Sequence, residues 1–305
     1  MRIDLQKYRR GFFNLLVVAA LLIAIFPLLF AQSMMRGLNH DEHQHLAAGY
    51  LITTKGLLPY RDFPFFHTPN MPFIYGMFMQ RGEWLLLEAR LFSTICAALT
   101  AGVIAWMALK WTSGRRWRIV VALGASLLLV ASPVFSETIG RASNHDFSVF
   151  LALLATCCHL GAMARGRGGA GWVASGILLG LAIGARVTLA PLVLPFFIAV
   201  WLWSGSGSLA DRVKKAAIFS AGLFVGCLPM IVMFVIAPEG FFYGVLEFSR
   251  TNLAYRASTG NTQTMSLLTK LRYFFQPISI ENWSVILVLA GALGLYAWQQ
   301  WKLRT

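Results

Sequence analysis

The feature that most constrains this chain is a series of apolar runs that approach the length of a membrane span. The first run, Phe12 to Ala31, has 20 residues and no charge, and a helix needs about 20 mostly apolar residues to cross a bilayer. It is also longer than the 7–15 apolar residues of a cleaved signal peptide. Charged residues make up only 12% of the chain, about half the roughly 25% of a soluble domain. We therefore expect an all-α polytopic membrane protein.

The long apolar stretch from Trp172 to Trp203 decides how many spans to expect. It has 32 residues and a single charge, Arg186. One helix of that length would measure about 48 Å, against a hydrocarbon core of about 30 Å. A hairpin that turns near Arg186 is therefore favoured. The predicted spans are then eight: 12–31, 84–109, 117–134, 147–164, 172–186, 188–203, 216–237 and 283–301.

The basic residues are distributed as membrane topology requires. Fifteen of the 26 lysines and arginines lie in five short segments, which eight spans place on the same side as the N-terminus. Positive clusters mark the cytoplasmic side. Both termini are thus predicted to lie on the cytoplasmic side of the membrane. Its net charge of +14 does not indicate nucleic-acid binding, because no basic stripe interleaved with aromatics is present.

Cysteine placement gives no sign of a disulfide framework or a structural zinc site. No Cys-x-x-Cys pair occurs. All the cysteines fall within predicted spans, where cysteine behaves as a small apolar residue. They are Cys96, Cys157, Cys158 and Cys227.

Two long loops, 32–83 and 238–282, face outward in this topology. Loops longer than about 12–15 residues are usually functional or disordered, and the aromatic content of these two favours function. The first contains a helical pattern from Glu42 to Lys55 with a stop at Gly56. This helix is too short to span and is expected along the outer interface. A compact turn over 59–63 and a second short helix around 71–80 follow in the single domain of residues 1–305.

Two adjacent acids open the first of these interfacial helices. Asp41 can cap the helix, and the helix dipole favours Glu42 in the first turn. The same acids could supply a general base that takes a proton from a hydroxyl. His40, His43 and His45 add metal-ligand types, although positions two apart on a helix face away from each other. For Asp41, a capping role and a catalytic role both stay open. Binding of a divalent metal by the histidines also stays open, and no cofactor is certain.

Further ionisable residues stand at predicted span ends, where they are costly and often functional. Asp146 and Arg141 precede the fourth span, and Asp146 could simply cap it. Arg186 stands in the hairpin turn, where it could snorkel to the headgroups. The last outward loop carries basic residues that are either solvated or partners for an anionic phosphate. They are Arg250, Arg256, Lys270 and Arg272.

The order of these features resembles a known family. A first span is followed by an outward Asp-Glu pair and then by Gly-x-x-Pro-Tyr-Arg-Asp-Phe-x-x-x-His-x-Pro, from Gly56 to Pro69. This pattern is similar to the GT-C superfamily of membrane glycosyltransferases, especially bacterial relatives of protein O-mannosyltransferases and of the lipid A aminoarabinose transferase. The likeness extends over residues 10–300 and includes Asp146 and Arg186.

The resemblance implies a polyprenyl-phosphate sugar donor and a membrane lipid, glycan or protein acceptor. Asp41 would be the catalytic base with Glu42 as its neighbour, and Asp146 an acid near the acceptor. Phosphate contacts would come from Arg61, Arg186 and Arg256. Further candidates for substrate binding are Asp62, His67 and Arg141.

Two other functional classes remain as alternatives. Many relatives are longer, so the chain is also compatible with a truncated gene or a non-catalytic membrane partner of a transferase. A transporter or flippase is less favoured. Transporters place broken helices and binding residues near the bilayer midplane, whereas the polar residues of this chain cluster at the outer ends of its spans.

Overall fold

The computed structural model describes residues 5–79, 84–165, 169–203, 208–260, 268–269 and 271–272. Within these ranges the regular structure is helical, apart from one β-bridge between Pro59 and Phe63. A 3-10 helix covers Val187–Leu192 and a π-helical turn covers Tyr243–Glu247. The α-helices are α1 Leu5–Met34, α2 His40–Lys55, α3 Asn70–Met79, α4 Leu85–Trp111, α5 Arg118–Val130, α6 Pro133–Thr138, α7 His145–Arg165, α8 Ala170–Ala185, α9 Val193–Trp203, α10 Leu209–Gly226, α11 Leu228–Ile236, α12 Pro238–Phe242 and α13 Phe248–Ser258.

Three helices, α1, α4 and α7, are long and apolar enough to cross a bilayer. A fourth span forms if α10 and α11, which are bent by 56° at Cys227, are counted together. Helices α5 and α8 and the stretch 187–202 are apolar but shorter. The predicted span 283–301 lies outside the described residues. Multi-pass membrane architecture is therefore confirmed, whereas the number of eight spans is not.

The hairpin predicted near Arg186 is present. Helix α8 ends at Ala185, and Arg186 has an extended backbone with φ of −151°. The chain then reverses its direction. As a result, Val200 near the end of α9 packs against Trp172 near the start of α8. The apolar stretch is thus divided into two antiparallel pieces.

Helices α8 and α10 approach each other closely because glycines line their interface. Gly176 and Gly180 of α8 face Gly222 and Gly226 of α10. A Cβ atom at any of these four positions would lie less than 3.0 Å from backbone of the opposite helix. Glycines four residues apart produce such close contacts between membrane helices. This contact holds the end of α8, which carries Arg186, in place.

Helix α2 begins and ends as a short capped helix, but its N-cap differs from our expectation. Asn39 is the N-cap, and its side chain accepts a hydrogen bond from the Asp41 backbone N–H at 2.9 Å. The capping interpretation of Asp41 was therefore wrong. The predicted stop at Gly56 is confirmed, because this glycine has φ of 66°. The second interfacial helix is also present as α3.

Candidate active site

A cavity of about 270 Å³ is formed where the start of α2, the segment before α3, the start of α7 and the end of α8 meet. It combines one carboxylate, one guanidinium and three imidazoles with several neutral polar groups. Most of these residues are far apart in the sequence, so only the tertiary fold brings them together. The lining residues are Asp41, His45, Phe66, His67, Thr68, Ser143, Asn144, His145, Arg186, Val187, Thr188 and Val245.

Asp41 is half-buried in the first turn of α2 and contributes the carboxylate of the cavity. Four residues later on the same helical face, His45 also lines it. Burial lowers the pKa of His67, the carboxylate of Asp41 opposes that shift, and Arg186 adds to it. Asp41, His67 and Arg186 are thus electrostatic neighbours. The cavity contains both Asp41, the candidate base, and Arg186, a candidate phosphate ligand.

Arg186 lies where α8 ends, and two side chains fix its guanidinium group. Its Nε donates a hydrogen bond to Thr188 Oγ1 at 2.9 Å. Its Nη1 lies against the imidazole of His145, in contact with Nδ1 and at 2.9 Å from Nε2. Because arginine remains protonated, the imidazole must accept this bond through a neutral nitrogen. His145, which our sequence analysis did not select, therefore positions Arg186 on the cavity wall.

His45 is a buried neutral base on the cavity wall. Its side chain is 1% exposed, and its ring centroid lies 4.9 Å from that of His67. Burial lowers the pKa of His45 to about 3, and the nearby His67 and His145 add to the effect. His67 is held in turn, with Nε2 at 3.1 Å from Gln44 Oε1. His45 is consequently uncharged near neutral pH.

Glu42 does not line the cavity, although it follows Asp41 directly. Its fully buried carboxylate pairs with Arg90, with Oε2 at 2.8 Å from Nη2 and Oε1 at 2.9 Å from Nε. The backbone N–H of Ala142 donates a third bond at 2.8 Å. Burial raises the pKa of Glu42, but the hydrogen bonds from Arg90, Ala142 and Asn39 outweigh it and hold that pKa below its usual value. Glu42 is therefore an anchor between α2, α4 and the turn before α7.

Arg90 is a residue that our sequence analysis missed. Besides Glu42, its guanidinium binds the backbone oxygens of Ser33, Arg36 and Gly37 at 3.0–3.2 Å. It thereby ties α4 to the last turn of α1 and to the segment that follows it. An arginine within a predicted span is costly in lipid unless it has partners. A charged residue inside a predicted span was therefore the sequence signal that could have identified Arg90 as part of a buried ion pair.

Asp146 and Arg141 are near the cavity but do not line it. Asp146 is 4% exposed, and its Oδ2 accepts a hydrogen bond from the Gly140 backbone N–H at 2.7 Å. Arg141 is half-buried in the same turn. The turn instead presents Ser143, Asn144 and His145 to the cavity. Asp146 supports the shape of this turn.

Arg61 and Asp62 belong to a different cavity, of about 260 Å³, which is formed by residues 60–66, Gly240 and Tyr243. They form an exposed ion pair with Nη2 and Oδ2 at 2.7 Å. The compact turn predicted over 59–63 is present, with the Tyr60 N–H bonded to the Phe63 oxygen at 2.9 Å. Arg256 is exposed in the last turn of α13 and lines neither cavity.

No group of three or more histidine, cysteine, aspartate or glutamate side chains is arranged to hold a metal ion within the described ranges. His45 is enclosed among aromatic rings, and His43 is exposed on another face of α2. His43 and His45 therefore lie on different faces of α2 and do not share a metal site.

The helices and the cavity at their ends define a multi-pass α-helical membrane protein with a polar site. The sequence profile of the dolichyl-phosphate-mannose-protein mannosyltransferase family matches residues 67–236, more than half of the chain. The chain belongs to this family. The matched range includes His67, Asp146 and Arg186 but begins after Asp41.

The fold is similar to that of a solved relative. In the S. cerevisiae protein O-mannosyltransferase Pmt1-Pmt2 complex bound to the sugar donor, the matching chain superimposes with a TM-score of 0.55 at 17% sequence identity. The match covers 79% of this chain and 35% of the yeast chain. No curated protein matches in sequence. Family and fold together confirm the resemblance to the GT-C superfamily.

Proposed function

We propose that the protein transfers a sugar from a polyprenyl-phosphate donor to a hydroxyl of a lipid, glycan or protein acceptor. The proposed location is the outer face of a bacterial inner membrane. The observation that carries this proposal is the shared cavity of Asp41 and Arg186 in a chain of this family. One group can accept a proton and the other can bind a phosphate.

Asp41 is proposed as the general base. It takes the proton from the acceptor hydroxyl as the hydroxyl oxygen attacks the anomeric carbon of the sugar. The bond between that carbon and the phosphate oxygen breaks, and its electron pair leaves with the phosphate. Asp41 is suited to this role because its carboxylate lines the cavity and a positioned carboxylate can accept the proton of a hydroxyl. A general base of this kind contributes about 10²–10⁴-fold to the rate.

Arg186 is proposed to bind the phosphate of the donor. Arginine forms short, charge-assisted and often bidentate hydrogen bonds with phosphate. Thr188 and His145 hold the guanidinium at the cavity wall before the donor arrives, which reduces the entropy lost on binding. A polyprenyl chain stays in the bilayer, so its phosphate must be bound at the ends of the membrane helices. Arg186 terminates α8 and meets this requirement.

The test of this function is a transfer assay with the full chain in proteoliposomes. Undecaprenyl phosphate carrying radiolabelled mannose is supplied with membrane extract as the source of acceptors. Arg186→Met should raise the KM for the donor about 10–100-fold, as expected for a lost hydrogen bond to a charged group. Arg116→Met, an exposed change in the turn between α4 and α5, is the matched control. Equal KM values for wild type and Arg186→Met would contradict the phosphate assignment.

A non-catalytic membrane partner of a related transferase is the second candidate. The same proteoliposomes distinguish the two. A partner would show no transfer alone and would restore activity only when a separate transferase is added.

A further inference from the structure

Three buried polar atoms without hydrogen-bond partners belong to side chains on the wall of the Asp41 cavity. They are His45 Nδ1, Thr68 Oγ1 and Ser143 Oγ. These residues are 1%, 2% and 4% exposed. Seven such atoms occur among the described residues, so nearly half of them surround a single cavity.

Such a concentration points to a ligand. Buried polar groups in native proteins almost always have partners, and each exception calls for an explanation. The surrounding network is well satisfied. The hydroxyl of Tyr75, for example, bonds to the Ser143 backbone oxygen at 2.9 Å and lies 3.2 Å from Ser93 Oγ. The other four unpartnered atoms among the described residues belong to Asn14, Asn70, His159 and Arg212, none of which lines the cavity.

The chemistry of the three groups indicates what they bind. A hydroxyl can donate and accept a hydrogen bond, and a neutral imidazole does one at each nitrogen. The low pKa of His45 keeps its ring neutral. Uncharged hydroxyl groups are the natural partners of such a set. The cavity volume of about 270 Å³ is below the roughly 300–1,000 Å³ of sites for drug-sized ligands, so a single ring fits best.

We propose that His45, Thr68 and Ser143 form a subsite for the hydroxyls of the donor's sugar ring. This inference rests on the proposed function and adds the residues that select the sugar. A change between staggered rotamers turns a serine or threonine hydroxyl toward the cavity. Asp41 and Arg186, on the same wall, then face the acceptor hydroxyl and the phosphate.

The test compares two lipids and two variants. The full chain in nanodiscs is titrated with undecaprenyl phosphate carrying mannose and with undecaprenyl phosphate alone. Wild type should bind the sugar-bearing lipid more tightly. Thr68→Val should reduce that preference about tenfold and leave the affinity for the lipid without sugar unchanged. Thr68→Ser keeps the hydroxyl and should keep the preference.

Thermal stability separates binding from a structural role. Since the Thr68 hydroxyl has no hydrogen-bond partner among the protein's own groups, Thr68→Val should leave the melting temperature unchanged or raise it. Ser143→Ala should behave in the same way and serves as the second variant. A marked fall in melting temperature for both variants would overturn the proposal, because their hydroxyls would then support the fold.

The binding outcomes distinguish this inference from the function on which it rests. Equal binding of the two lipids by wild type, or equal losses for both lipids in Thr68→Val, overturns the sugar subsite and leaves the phosphate site standing. An unchanged sugar preference in Thr68→Val overturns it as well. Failure of wild type to bind either lipid overturns the proposed donor together with the subsite.

Discussion

At the scale of residues, two arginine–carboxylate pairs should differ greatly in their effect on stability. Arg90 and Glu42 have side chains that are 5% and 0% exposed, whereas Arg61 and Asp62 are 50% and 24% exposed. Removing one partner of a buried pair leaves an uncompensated charge and costs about 3–5 kcal/mol. Arg90→Ala should therefore lower the free energy of unfolding by about that amount.

The exposed pair provides the control. Arg61→Ala should leave thermal unfolding in detergent unchanged, because water solvates the remaining carboxylate of Asp62. Similar unfolding temperatures for Arg90→Ala and wild type would show that the Glu42–Arg90 pair does not hold α2 and α4 together.

His45 should make stability depend on pH below neutrality. Its pKa is about 3 in the folded protein, against 6.5 as its ordinary value. Between these values the unfolded chain binds a proton at His45 and the folded protein does not. This residue therefore reduces stability as the pH falls from about 6.5 to about 3, by about 1.4 kcal/mol per pH unit.

Unfolding measured across that pH range tests the effect. His45→Gln should give a shallower dependence on pH than wild type, and His43→Gln, an exposed change on the same helix, should not. Parallel curves for wild type and His45→Gln would refute the assignment.

Individual residues could be predicted from the sequence only where a local pattern set them apart from their neighbours. Arg186 was identified because it is the single charge in an apolar stretch, and Asp41 because two acids begin a helical pattern. The sequence did not predict that Asp41 lines the cavity whereas Glu42 is buried in an ion pair. That difference depends on Arg90, which is 48 residues away from Glu42. The capping role of Asn39 was missed because three adjacent polar residues, Asn39, His40 and Asp41, could each have started the helix.

At the scale of elements, the glycine contact between α8 and α10 should be intolerant of a single methyl group. A Cβ at Gly222 would overlap the backbone of Val173, which cannot move aside as a flexible side chain could. Overpacking typically costs about 1–3 kcal/mol. Gly222→Ala should therefore lower the free energy of unfolding by about this amount.

The matched control is Gly124→Ala on α5, where a Cβ would meet nothing within 4 Å. Alanine stabilises an exposed helix by about 0.5–1 kcal/mol relative to glycine. Gly124→Ala should thus be neutral or stabilising. If both substitutions had the same effect on unfolding, the close packing of α8 and α10 would be disproved.

Elements could be predicted best where their signals are local. Helix α2 was found because capping residues and Gly56 mark its ends. The number of spans was less accessible, since it depends on where helices break. The bend between α10 and α11 falls at Cys227, ahead of Pro229, inside a run that hydropathy alone reads as continuous.

At the scale of the whole molecule, the charge distribution predicts which side each loop faces. In a variant without native cysteines, Ser258→Cys should react with a membrane-impermeant thiol reagent in intact cells. Ser113→Cys, in the exposed turn between α4 and α5, should react only after the cells are permeabilised. Labelling at position 113 from outside would contradict the predicted orientation.

The class of the molecule followed from the length of its apolar runs, but the cavity did not. Its lining comes from four separate segments, 41–45, 66–68, 143–145 and 186–188, together with Val245. The pattern of apolar and polar residues within one segment gives no indication of which other segments it will contact. Only the resemblance to the GT-C superfamily connected Asp41 with Arg186 before their positions were known.

The most direct test of the account is the turnover of Asp41→Asn in the proteoliposome transfer assay. Asn39 caps α2, so the substitution removes the proposed base and leaves the cap intact. The rate should fall about 10²–10⁴-fold while the variant stays folded, and the exposed change Glu239→Gln should keep the wild-type rate. Turnover of Asp41→Asn close to that of wild type would contradict the central claim that this carboxylate activates the acceptor.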